Sequence, residues 1–159
     1  MIKHKPVMLN ESIASLNIRQ NGCYVDATFG SGGHSSEILT KIGENGLLFS
    51  LDKDHDVFES LSTKLRSDKR FKLVHGCFSD LAKHTKNWGV HGSVNGILFD
   101  LGVSSHHLDT AERGFSFKND GRVDMRFDYN TGTSAHELIN AAKEEELAQI
   151  IWKYGEERN

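Results

Sequence analysis

Apolar positions recur along the chain with two different spacings, and the switches between them mark its elements. Ile13, Ala14 and Leu16 fall on one face of a helix that Asn10 can cap, preceded by Pro6 in an extended segment. Asn21-Gly22 turns the chain into Cys23-Tyr24-Val25, which reads as a strand. Gly30-Ser31-Gly32-Gly33 follows, then a helical stripe of Ile38, Leu39 and Ile42 that Gly43 ends. The run from Leu47 to Asp52 is too short for a helix and suits a strand covered on both faces. Asp54 opens a second helix bearing Val57, Phe58, Leu61 and Leu65, and residues 71–78 read as a third strand. A short helix over 79–88, closed by Gly89, precedes a fourth strand over 94–101 with Ile97-Leu98-Phe99 at its centre.

Strands alternating with helices imply parallel pairing through right-handed crossovers, hence an open, doubly wound α/β sheet of about four strands. The pattern then changes. Residues 103–133 show no clear period and read as a long loop, and Ser134-Ala135-His136-Glu137 is a capping box that opens a helix. Leu147, Ile150, Ile151 and Tyr154 repeat helically up to Gly155. Such a sheet ordinarily has more strands, so the expectation is a shortened chain, with an apolar strand edge open to self-association.

Composition narrows this picture without changing it. The 159 residues amount to about one domain, and 37% hydrophobic content plus 15 glycines is that of a globular chain. A net charge of −3 argues against coating nucleic acid by charge alone. Neither a membrane-length apolar run nor a signal-peptide core is evident, so the expected location is the cytoplasm. Cys23 and Cys77 are far apart and read as small buried residues, and no histidine or cysteine spacing suits zinc, so no metal is assigned.

The chemistry concentrates at strand ends. A glycine-rich turn between a first strand and first helix lets backbone amides approach a ligand, and an acid ending the next strand can hold ribose hydroxyls. Gly30, Gly32, Gly33 and Asp52 fit this pattern, with Asp52 lying 22 residues beyond Gly30. A side chain at Gly32 is expected to occupy the ligand's space. Ser35 stands where the dinucleotide fingerprint needs glycine, and no Gly-Lys-Ser/Thr follows, which removes the phosphate loop of the nucleotide hydrolases. Asp100 ends the fourth strand, where it would face a bound ligand. Arg113, Lys118, Arg122 and Arg126 are interleaved with Phe115 and Phe117, a mixture able to pair phosphates and stack bases.

Several stretches together resemble the MraW/RsmH family of bacterial methyltransferases, which modify N4 of a cytidine in small-subunit ribosomal RNA. They are His4-Lys5-Pro6-Val7-Met8-Leu9-Asn10-Glu11, Tyr24 through Ser35, Asp100-Leu101-Gly102-Val103-Ser104-Ser105 and Glu112-Arg113-Gly114-Phe115-Ser116-Phe117. Asp120-Gly121, Asp124-Met125-Arg126 and Gly155-Glu156-Glu157-Arg158 continue the likeness almost end to end. The family commonly shows Pro-Gln where this chain has His106-His107, and proline in place of Arg122.

The resemblance implies a Rossmann-like methyltransferase core over residues 1–105 and the start of a helical insertion over 106–159. It implies S-adenosyl-L-methionine as methyl donor, bound by Gly32, Gly33, His34, Asp52, Phe78, Asp100 and His107. Asp100 or a neighbouring carbonyl would orient the cytosine amine, whose delocalised lone pair needs an acceptor to draw on its protons. The implied partner is 16S rRNA in the small ribosomal subunit. Two other readings stay open at this stage, a noncatalytic remnant that binds cofactor or RNA weakly and an NAD-dependent oxidoreductase using the same turn.

Overall fold

The computed structural model describes residues 6–157; His4, Lys5 and Arg158 of the family-like stretches lie outside them. Contacts divide the chain into two compact units, 1–102 and 103–159.

In the first unit four parallel strands form one sheet in the order β3-β2-β1-β4. They are β1 (Cys23–Asp26), β2 (Leu47–Asp52), β3 (Phe71–His75) and β4 (Gly96–Leu98). The central pair runs in register from Cys23 opposite Leu47 to Asp26 opposite Ser50. Alternation sorts its side chains onto two faces. Tyr24 and Leu48 join Ile13, Phe29, Ile38, Leu39, Ile42 and Leu65, beneath α1 (Leu9–Ser15) and α2 (Gly33–Lys41). Val25 and Phe49 join Ala27 and Val90 on the other face, where Phe49 stacks on Trp88 at 4.6 Å. Fully burying each such aromatic or aliphatic side chain is worth about 1.5–3 kcal/mol, which is why a strand with no polar face is stable here.

Boundaries moved where local signals conflicted. The helix expected after Asp54 is two short ones, α3 (Asp56–Glu59) and α4 (Thr63–Ser67), because Ser62 accepts the Leu65 amide and starts a new cap. The third strand stops at His75 instead of reaching residue 78, and residues 78–87 hold a 3-10 turn at Phe78–Asp80 and then α5 (Leu81–Asn87). The fourth strand pairs only over Gly96–Leu98, since beyond Leu98 the chain turns to the loop after β1, where the Asp100 amide bonds the Thr28 side chain instead of a strand carbonyl. Cys23 and Cys77 are both partly exposed, not fully buried as their small apolar character suggested.

Residues 103–157 are described separately. The aperiodic stretch after Gly102 contains α6 (Ser105–Asp109) and a 3-10 turn at Ala111–Arg113. Main-chain bonds from Met125 to Arg113, Ala135 to Asp124 and His136 to Val123 order what carries no period in sequence. Ser134 and Glu137 complete the expected capping box on α7 (Ala135–Ala141), which α8 (Glu144–Gly155) follows. No helix among the described residues is long and apolar enough to cross a membrane.

Gly32 has a different explanation from the one its sequence suggests. It lies at φ +76°, and a Cβ there would come within 2.6 Å of the Phe29 ring and 3.1 Å of Leu65, so the core itself demands glycine. Gly32→Ala is expected to cost about 2–5 kcal/mol, from a left-handed backbone (~1–2) plus overpacking (~1–3). Urea denaturation reads this as a lowered midpoint, and an unchanged midpoint would show that Phe29 simply moves aside.

Candidate functional site

The carboxyl ends of β1, β2 and β4 lie side by side, and the turn after β1 crosses their edge. Its backbone is pinned on both sides: Ala27 donates to Leu98 O at 2.9 Å and Phe29 to Leu51 O at 2.9 Å. Gly30 then turns at φ +53°, and its amide donates to Asp52 Oδ2 at 2.7 Å. Asp52 Oδ1 accepts the Asp54 amide at 2.9 Å, so two backbone groups orient this carboxylate. A Cβ built on Gly30 meets nothing within 4 Å, whereas one on Gly33 would strike the Pro6 ring. Open space therefore adjoins the turn at Gly30, beside the acid, while Gly32 and Gly33 are packed against protein.

Asp100 follows β4. Its amide donates to Thr28 Oγ1 at 2.7 Å, which ties its backbone to the same turn, while its side chain is about half exposed. His34, in the first turn of α2, is buried with Nδ1 3.8 Å from Asp100 Oδ2. Phe78 lies after β3 and meets Phe99 edge to face at 5.7 Å, both rings being substantially exposed. Gly32, Gly33, His34, Asp52, Phe78 and Asp100 thus all flank one sheet edge. Phe99 and Thr28 join them without having been assigned a role from sequence.

Asp26, the last residue of β1, also went without a role. It is fully buried, accepting Ser35 Oγ at 2.6 Å and the Thr28 amide at 3.2 Å, while Ser35 Oγ sits 2.9 Å from the equally buried Ser50 Oγ. Burial pushes its carboxyl up to about 7 against the pull of those two bonds, and the nearby Asp52 and Asp100 charges add to the rise. A lone acid inside an apolar strand, directly before a glycine turn, is the signal that could have found it.

In the second unit His107 is buried between Phe115 and Phe127, with ring centroids 5.0 and 4.9 Å away. Its Nδ1 accepts the Ser104 amide at 3.0 Å, so the ring caps its own helix, α6. Arg113 is also buried and donates to the carbonyls of Arg126 and Phe127, with its guanidinium over Tyr129. Arg126 grips Asp124 through two nitrogens, at 2.9 and 2.7 Å. Of the interleaved basic and aromatic residues, Lys118, Arg122 and Phe117 face solvent, while Arg113 serves the fold.

The profile of the MraW methylase family matches residues 1–159. Ribosomal RNA small subunit methyltransferase H of Shewanella frigidimarina is 47% identical over 156 residues, covering 98% of this chain and 50% of that protein. The Buchnera aphidicola protein of the same name is 49% identical over 158 residues, with 99% and 50% covered. The chain therefore spans about half the length of these curated relatives. An rRNA methylase structure from Streptococcus thermophilus aligns with 53% of this chain and 49% of its own at 20% identity, with a TM-score of 0.40.

Burial of Asp26 carries a pH signature. Because its carboxyl lies above the ordinary value of 3.8, the stability it contributes is complete below about pH 4 and is lost as pH rises through about 7. Asp26→Asn keeps an acceptor for Thr28 without the charge, so the variant should gain on the wild type by about 3–4 kcal/mol between pH 4 and pH 9. Thermal melts of both proteins across that range check this, and parallel curves would contradict it.

Proposed function

Since the chain belongs to the MraW methylase family, we propose that it supplies the cofactor-binding part of an S-adenosyl-L-methionine-dependent methyltransferase acting on N4 of a cytidine in 16S rRNA. Residues 1–105 are then the cofactor core, and 106–159 begin the insertion. The reading rests above all on the 2.7 Å bond between the Gly30 amide and Asp52, which makes the glycine turn and the β2 acid one rigid unit beside open space. A turn of this kind suits an adenosine whose ribose hydroxyls donate to Asp52, since an ionised carboxylate has about four acceptor sites. The Asp52 and Asp100 charges favour a cationic ligand over a phosphate-bearing one such as NAD.

Each residue has a definite task in this reading. Gly33 and His34 present the first amides of α2 to the cofactor, and Gly32, whose own amide is donated to Phe29 O, makes the left-handed turn that brings them there. Phe78, exposed after β3, offers an apolar ring for the adenine. When bound, S-adenosyl-L-methionine supplies an electrophilic methyl group whose transfer leaves a neutral thioether. Asp100, half exposed on a backbone anchored by Thr28, accepts a proton of the cytosine amine and turns its lone pair toward the methyl carbon. Positioning of this kind is the main catalytic contribution open to the site. His107 is counted among the cofactor contacts as well, on the family resemblance. The rRNA must present its cytosine unstacked, in the context of the small subunit and in the cytoplasm.

Calorimetry with S-adenosylhomocysteine tests the site. Binding without NADH binding is expected, and the reverse would refute the assignment. Asp52→Ala should weaken the affinity about tenfold or more, since hydrogen bonds to a charged group are worth roughly 1.5–3 kcal/mol. Equal affinity, with circular dichroism unchanged, would remove Asp52 from the site. Tritiated methyl transfer to small subunits from a strain lacking the enzyme, with the label mapped to cytidine N4, tests the reaction.

A further inference from the structure

In the proposed reading His34 meets the cofactor through its backbone amide, which leaves its side chain unassigned. Its neighbours Gly32 and Gly33 serve through their backbone, yet the His34 imidazole is buried, and its position in the first turn of α2 aims it at Asp100. Nδ1 stands 3.8 Å from Asp100 Oδ2, while Nε2 is inaccessible to solvent and has no hydrogen-bond partner among the described residues.

Those two facts decide where the ring's proton resides. A proton on Nε2 would be a buried donor with no acceptor, and the bare Nδ1 lone pair would point at a carboxylate. A proton on Nδ1 leaves only an unfilled acceptor at Nε2 and gives the Asp100 charge a donor, so it avoids both penalties. The separation is about 1 Å too long for a hydrogen bond. Rotation of the half-exposed Asp100 side chain closes that gap, and the bond from its amide to Thr28 holds its backbone in place during the turn.

Resting on the methyltransferase reading, we infer that the His34 side chain is a positioning residue for Asp100. Its Nδ1–H engages Oδ2 and so directs Oδ1 toward the amine to be methylated. The logic resembles that of a catalytic acid–imidazole pair with the roles exchanged, since here the imidazole orients the carboxylate. The device also offsets part of the repulsion among Asp26, Asp52 and Asp100, which the raised Asp26 carboxyl registers.

Long-range proton–nitrogen NMR on the ring-labelled 159-residue chain tests this without any need for turnover. The expected spectrum shows His34 with its proton on Nδ1, and Asp100→Asn moves that resonance upfield as a charge-assisted bond is lost. A proton on Nε2, or a resonance indifferent to Asp100→Asn, overturns the inference. In methyl transfer, His34→Ala should lower kcat about tenfold or more with less than threefold change in cofactor KM, and His34→Asn, whose amide can stand in for the Nδ1 donor, should restore most of it. Losses confined to KM, or no rescue by asparagine in a variant whose fold is intact, also overturn it. Absence of both transfer and S-adenosylhomocysteine binding in the wild type refutes the proposed function, and the NMR result then decides the His34–Asp100 pairing alone.

Discussion

The hydrogen bond from the Gly30 amide to the Asp52 carboxylate is the constraint from which the rest of the site follows. A parallel sheet ends in a row of backbone groups that the strands no longer satisfy, and a loop crossing that edge must supply partners for them. Here the turn after β1 does so, through Ala27 on the β4 side and Phe29 on the β2 side. Asp52 locks the third point. With three anchors the turn cannot drift, and the start of α2 is placed by the strands rather than by its own weak cap, which is a glycine without a side-chain bond.

The same geometry crowds acidic groups together. Asp26, Asp52 and Asp100 all end or follow adjacent strands, and a sheet whose faces are covered screens their repulsion poorly. The protein answers each differently. Asp26 is sunk among Ser35, Ser50 and the Thr28 amide, and its carboxyl rises to about 7. Asp52 is fixed by two backbone donors. Asp100 stays half exposed beside His34, which leaves it the most adaptable of the three. On the proposed reading Asp100 accepts a proton from an incoming amine, which needs such freedom, and Asp52 recognises ribose, which does not.

The second unit is held by a different economy, in which polar side chains replace an apolar core. Buried Arg113 collects two carbonyls, buried His107 caps α6 and fills a slot between two phenylalanines, and buried Ser134 caps α7. Each of these residues belongs to a type that reads as functional in a sequence. Ile151, Trp152 and Tyr154 on α8 remain exposed.

Periodicity and turn chemistry were enough to read four parallel strands, the helices between them, the glycine turn with Asp52, and the capping box at Ser134. These are local matters, set by side-chain spacing of 2 or 3.6 residues and by glycine's tolerance of positive φ. Residue identity at a strand end likewise placed Asp52 and Asp100 on one edge, because parallel strands all end on the same side. Packing decided the rest. Only the fold could show that Gly32 is required by the Phe29 ring beneath it, and that Arg113 and His107 are turned inward. It also revealed that Asp26 is raised by burial and that His34 faces Asp100. Each of these depends on atoms brought together from distant parts of the chain, and the burial and electric field they create have no signature in the spacing of residues along it.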